Sequence, residues 1–201
     1  TQGTDPAGLS TKYTRNGHGE IIRTESPDSG TTVSVYDAAG NLSSRTDARG
    51  ATTNYTYDAL DRLVTAANAD GIRTYHWDDC ANGLGRLCGF TYPGGAAEYE
   101  YDLGGRLTRK TQTVAGRAFA VAYAYDTAGR LARLTLPSGR VIAYTYTGAH
   151  VTGLSLDGSP ILVDVKYEPF GPVNGWAWGN GQTMQRTYDA DGRIIQYKGL
   201  S

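Results

Sequence analysis

The chain has 201 residues, 39% of them hydrophobic and 19% charged, with a formal net charge of −1. That balance is globular rather than disordered, and the absence of a basic stripe argues against nucleic acid as a partner. No apolar run approaches the ~20 residues that span a bilayer, and 27 Gly with 15 Tyr against 3 Phe favour strands and turns.

Residues 1–12 are rich in Gly and Thr and read as a strand remnant or loose flank. From Tyr13 onward one phrase recurs. Tyr13-Thr14-Arg15-Asn16-Gly17, with Ile21 and Ile22, reads as a first, longer copy. Tyr36-Asp37-Ala38-Ala39-Gly40-Asn41-Leu42 is complete. Tyr57-Asp58-Ala59-Leu60-Asp61-Arg62-Leu63 has Asp61 where Gly is expected, and Asp tolerates the left-handed region better than most residues. Trp77-Asp78 opens an interrupted copy that resumes at Gly85-Arg86-Leu87. Tyr101-Asp102-Leu103-Gly104-Gly105-Arg106-Leu107 and Tyr125-Asp126-Thr127-Ala128-Gly129-Arg130-Leu131 are full copies. Tyr146-Thr147-Gly148-Ala149 and Tyr167-Glu168-Pro169-Phe170-Gly171 are degenerate, and Tyr188-Asp189-Ala190-Asp191-Gly192-Arg193-Ile194 closes the series. The lead aromatics fall 20 to 24 residues apart, and a fixed period over most of a chain outranks other signals. Residues 13–201 therefore read as about nine repeats in one continuous β-sheet domain.

Each residue type in the phrase has a local task. Asp followed three residues later by Gly fits a type I turn. The Asp carboxylate accepts a backbone N–H two residues on. The Gly takes positive φ and supplies a bulge that keeps the two strands in register. Tyr125 and Leu131 then face each other across the hairpin, a favourable aromatic–aliphatic pair. Second turns stand at Pro27-Asp28-Ser29-Gly30, Asp47-Ala48-Arg49-Gly50, Asn68-Ala69-Asp70-Gly71, Pro93-Gly94-Gly95, Pro137-Ser138-Gly139 and Asn180-Gly181. Two strands per repeat gives roughly 16 to 18 strands. Tyr55 and Tyr57, Tyr99 and Tyr101, Tyr123 and Tyr125, and Tyr144 and Tyr146 each share one strand face. Gly or Pro interrupts every candidate helix. The expected fold is all-β: tandem β-hairpin repeats in one long, twisted antiparallel sheet that curls into a partial spiral. Its edge strands invite self-association.

The chemistry-bearing residues form no catalytic set. His18, His76 and His150 lack ligand-like spacing, and the turn aspartates already have a backbone task, whereas Ca²⁺ needs six to eight clustered oxygens. Cys80 and Cys88 without nearby His are an incomplete zinc set. If their loop folds back they lie on facing strands, and a disulfide is the favoured state in an exported protein, with free thiols next. No nucleophile elbow, phosphate loop or zinc-protease motif is present, so neither catalysis nor a cofactor is expected. Trp176 and Trp178 share a face if extended. Packing is the favoured reading, with carbohydrate stacking the alternative. The motif arginines, Arg62, Arg106, Arg130 and Arg193, are placed to pair with the Asp of their own or a neighbouring turn.

The Tyr-Asp-x-x-Gly-Arg-Leu phrase at this spacing resembles the RHS (rearrangement hotspot), or YD, repeat, from about Tyr13 to the C-terminus. Asp79-Cys80-Ala81-Asn82-Gly83-Leu84-Gly85-Arg86-Leu87-Cys88 and Glu168-Pro169-Phe170-Gly171-Pro172-Val173 are similar to segments of bacterial RHS proteins. The resemblance implies a β-ribbon that spirals into a hollow shell enclosing a toxin polypeptide, in a parent that is secreted or on the surface of a bacterium. Animal teneurins use a similar shell for adhesion. The family's core segment, with its autoproteolytic aspartates, has no counterpart here. The start at Thr1 and the end at Ser201 read as those of an excised stretch of wall, whose partners are the rest of its own shell and an enclosed toxin. A surface carbohydrate-binding or adhesion module is the alternative.

Overall fold

A computed structural model describes residues 2–4, 6, 8–169 and 171–200. Thr1, Ser201 and Phe170 of the Tyr167–Gly171 phrase lie outside the described residues. The fold is all-β, open antiparallel sheet with no helix among the described residues. The first strands are β1 Gln2–Thr4, β2 Ser10–Arg15, β3 Ile21–Ser26, β4 Gly30–Tyr36, β5 Leu42–Thr46 and β6 Thr52–Tyr57. Next come β7 Leu63–Asn68, β8 Gly71–Trp77, β9 Leu87–Tyr92, β10 Gly95–Tyr101, β11 Leu107–Val114, β12 Arg117–Tyr125 and β13 Leu131–Thr135. The last are β14 Val141–Thr147, β15 His150–Leu156, β16 Ser159–Tyr167, β17 Val173–Trp178, β18 Thr183–Tyr188 and β19 Ile194–Leu200. Nineteen strands exceed the expected number because the flank supplies β1 in addition to two strands per repeat.

The chain divides into two compact units, Thr1–Tyr99 with Gln112–Arg117, and Glu100–Thr111 with Ala118–Ser201. In the first, antiparallel pairing follows the chain from β1 to β10. In the second it runs from β12 to β19. Within each unit, the described strands touch only their neighbours in the chain, so no second layer among the described residues covers either face. The buried hydrophobic residues are accordingly few: Cys88, Ala97, Val165 and Trp176 among those described. Stability in such an arrangement comes from one neighbour to the next, as in a solenoid.

The turns show how the sequence sets the register. At the Tyr125 hairpin, the Asp126 N–H donates to the Arg130 carbonyl and the Gly129 N–H to the Asp126 carbonyl, both at 2.9 Å. Asp126 Oδ1 accepts the N–H groups of Ala128 and Arg130, also at 2.9 Å. Gly129 has φ of +80°, a conformation that Cβ-bearing residues rarely adopt. The extra residue makes a bulge at the lead aromatic and sets Tyr125 opposite Leu131. The same shift sets Tyr36 opposite Leu42, Tyr57 opposite Leu63, Trp77 opposite Leu87 and Tyr188 opposite Ile194. Asp61 fills the Gly position of its turn at φ of +58°.

One assignment moves. Tyr13 does not lead the first repeat; it pairs with Thr24, two positions before the bulge. Arg15 holds the lead position opposite Ile21, and Asn16 replaces the turn Asp, accepting the His18 and Glu20 N–H groups. Gly19 at φ of +88°, not Gly17, is the turn glycine. Asn16 does the work of Asp because both carry the same acceptor at the same reach. With Arg15 as lead, the first step shortens to the spacing of the later repeats.

The inter-repeat staple and a tryptophan groove

The lead aromatics do more than face their own hairpin partner. Tyr36 Oη donates to the Ile21 carbonyl (3.2 Å), Tyr57 Oη to Leu42 (3.0 Å) and Tyr125 Oη to Leu107 (2.8 Å). Tyr146 reaches Leu131, Tyr167 reaches Val151, both at 2.8 Å, and Tyr188 reaches Val173 at 2.6 Å. Trp77 does the same with its indole Nε1–H, 2.9 Å from the Leu63 carbonyl. Ile21, Leu42, Leu63, Leu131, Val151 and Val173 each face the lead position of the repeat before, as Ile21 faces Arg15. The side chain therefore reaches the adjacent strand and staples one repeat to its predecessor. Burial pushes the Tyr57 and Tyr125 phenols above their ordinary pKa.

The motif arginine adds a second link in the opposite direction. Arg62 pairs with its own Asp58 at 2.7 Å and with Asp78 of the next repeat at 2.6 Å. Its guanidinium lies 5.0 Å from the centre of the Trp77 ring. Arg106 pairs with Asp102 and stacks 4.7 Å over Tyr125. Arg130 pairs with Asp126, stacks 4.4 Å over Tyr146 and donates to the Gly148 carbonyl. These contacts depress the Asp carboxyls below the usual range. The Arg130 guanidinium leads at Asp126, and the backbone N–H of the following Arg leads at Asp58 and Asp102. Asp189 closes the last turn through the Asp191 and Arg193 N–H groups, but the Arg193 guanidinium reaches Asp191 instead, at 3.5 Å. Sequence reasoning found the Asp–Arg pairs. It missed the hydroxyl staple and the stacking on the next ring, whose only trace is an apolar residue 14 to 18 positions before each aromatic.

The interrupted repeat is a separate construction. Cys80 and Cys88 are joined by a disulfide, with Cα atoms 5.5 Å apart. A Cβ on Gly83 would sit 2.4 Å from one sulfur and 2.5 Å from the other, so the loop has room only for Gly there. Asp78 accepts the Gly85 N–H and so rejoins the phrase where it resumes. The histidines stay apart: His150 packs on Tyr167 with ring centres 4.4 Å apart, His76 lies 3.7 Å from Asp79, and the His18 N–H donates to Asn16. The described residues contain no cluster of His, Cys, Asp or Glu suited to a metal.

Trp176 and Trp178 do share a face of β17, edge to face at 5.9 Å. Trp176 is only 9% exposed, and Arg186 lies over it at 4.8 Å. Trp178, at 39%, is the more accessible ring. Beside them runs an apolar groove of about 380 Å³ whose walls include Leu154, Leu162, Val165, Trp178 and Arg186. A bulge in β16, with Asp164 at φ of +52°, resets the strand's alternation and turns Val165 to the same side as Leu162.

The RHS Repeat family pattern matches residues 36–79 and 125–150. No curated protein sequence matches the chain. Among solved structures, the Tc holotoxin pore of Photorhabdus luminescens is similar over 98% of this chain at 18% identity, with a TM-score of 0.85. The crystal structure of TcdB2-TccC3 is similar over 100% of it at 17% identity, with a TM-score of 0.81. The chain spans 12% and 14% of those two chains. A TcdB2-TccC3 structure without its hypervariable C-terminal region gives 17% identity and 0.78, over 98% of this chain and 13% of that one. The RHS Repeat pattern thus covers two segments of the chain, and over nearly its whole length the chain shares the fold of those solved structures.

Proposed function

We propose that the chain is a section of non-catalytic wall in an RHS shell that encloses a toxin polypeptide and separates it from the producing cell until delivery. The observation that carries this reading is the staple. The most regular polar side chains of the repeat, the lead hydroxyl and the motif Arg, are spent on the neighbouring repeat, and Asp closes the turn. A chain built this way resists separation of its repeats and needs no reactive group. The likeness to Tc toxin structures over nearly the whole chain supports the same reading. The parent is then secreted or displayed by a bacterium, and the partners are the adjoining repeats and the enclosed polypeptide. A carbohydrate role for Trp176 and Trp178 draws little support, because Arg186 already occupies a position over the Trp176 ring.

Electron cryo-microscopy of the intact gene product that carries these repeats tests the proposal. The expected result is a closed shell with these repeats in its wall and polypeptide density inside. Repeats standing as an open sheet with no enclosed volume would overturn it.

A further inference from the structure

The tryptophan groove differs from the rest of the sheet in its polar accounting. Trp176 is nine-tenths buried, and its indole Nε1–H has no hydrogen-bond partner. Trp77, by contrast, gives the same N–H to a backbone carbonyl. Arg186 Nε is likewise buried without a partner. Arg62, Arg106 and Arg130 each hold a carboxylate, whereas no ion pair among the described residues involves Arg186. Its guanidinium instead lies against two rings, 4.8 Å from the centre of Trp176 and 5.3 Å from that of Tyr197. An arginine without a carboxylate partner among the described residues thus adjoins a groove walled by Leu154, Leu162 and Val165. Buried donors in folded proteins are normally satisfied, and a cation beside apolar walls is complementary to an anion attached to an apolar group. The groove's size falls within the range of ligand sites.

We propose that this groove binds a peptide segment in which a carboxylate adjoins a bulky apolar side chain. The apolar side chain occupies the Leu154–Leu162–Val165 wall, and the carboxylate pairs with the Arg186 guanidinium beside Trp176. The choice of a peptide over another apolar acid rests on the shell reading, in which the wall's neighbour is a polypeptide.

The test is NMR of the 201-residue chain labelled with ¹⁵N at its indoles, with the Trp176 signal assigned by Trp176→Phe. The probes are N-acetyl-leucyl-phenylalanine with a free C-terminal carboxylate and the same dipeptide as its C-terminal amide. The acid is expected to move the Trp176 Nε1–H signal saturably, and the amide to bind about tenfold more weakly, the order expected for one charge-assisted bond. Arg186→Met, which keeps the apolar stem, is expected to bring the acid down to the amide's affinity. Equal affinities of acid and amide in the unaltered chain would overturn the proposal even if the variant fails to fold. Tighter binding of octanoate than of the dipeptide acid would assign the groove to acyl chains and overturn the peptide, while leaving the shell reading to the microscopy.

Discussion

The hairpins led by Tyr125 and Tyr167 close with the same main-chain bonds and differ in chemistry. In both, the turn closes by the same pair of main-chain bonds: Asp126 N–H to Arg130 and Gly129 N–H to Asp126 in one, Glu168 N–H to Pro172 and Gly171 N–H to Glu168 in the other. Both are also stapled from the following repeat, by Tyr146 and by Tyr188. The side chains then part company. Asp126 turns inward to two backbone N–H groups, whereas Glu168, one methylene longer, accepts from the Asn174 side chain at 3.0 Å. Arg130 links its own Asp to the next ring; Pro172 in the same place has no side-chain donor. Hairpin and staple therefore survive without the Asp–Arg pair. What the Tyr167 hairpin loses in polar links it replaces with Trp176, and the groove opens beside that exchange.

The largest expected effect falls on that replacement. Trp176→Ala should lower unfolding free energy by about 3 kcal/mol, since it removes one of the few buried side chains. Denaturant unfolding measures this, and a loss no larger than that of a surface substitution would show that the Tyr167 hairpin does not rest on Trp176. Next comes a pair of glycines. Gly129→Ala should cost about 1–2 kcal/mol, because its positive φ is unfavourable for a Cβ. Gly175→Ala, with only ordinary contacts at 3.5 Å and beyond and no positive φ, should lie within about 0.5 kcal/mol of the parent. Equal losses at the two sites would dissolve the distinction between motif turn and variant strand.

The staple should make the two regions alike. Tyr146→Phe and Tyr188→Phe are each expected to cost about 1 kcal/mol, the net contribution of one hydrogen bond. A staple that counts in one repeat and not in the other would break the claim that it is common to both. The smallest effect is acid sensitivity. The Asp58, Asp102 and Asp126 carboxyls titrate below their ordinary value in the folded chain. Their contribution is present above the unfolded carboxylate pKa and is lost as pH falls below about 4 through the depressed values. Asp126→Asn should flatten this acid limb in melting curves taken from pH 6 to pH 3.

Much of this architecture was legible in the sequence because turn chemistry is local. Asp126 and Gly129 specify a bulged hairpin from residues within five positions of one another, and Asp61 could be read as a substitute glycine for the same reason. Arg15 was not legible as a lead residue. It has no aromatic ring, and Tyr13 nearby has one, so composition pointed two positions too early. The hydroxyl staple was hidden for a different reason. Its acceptor is a backbone carbonyl, present at every position, so no residue type marks it. Period two placed Trp176 and Trp178 on one face, but nothing in their spacing revealed Arg186, which reaches them from another strand of the sheet.

A bond that ends on a main-chain oxygen makes no demand on the side chain at its far end. Ile21, Leu42, Val151 and Val173 serve equally well as acceptors. Each repeat can therefore drift in sequence, or be gained and lost by slippage of one full period in the gene, and the junction still presents a carbonyl where the incoming phenol expects one. The ribbon is modular at the level of heredity: its length is open to mutation while its joints are not.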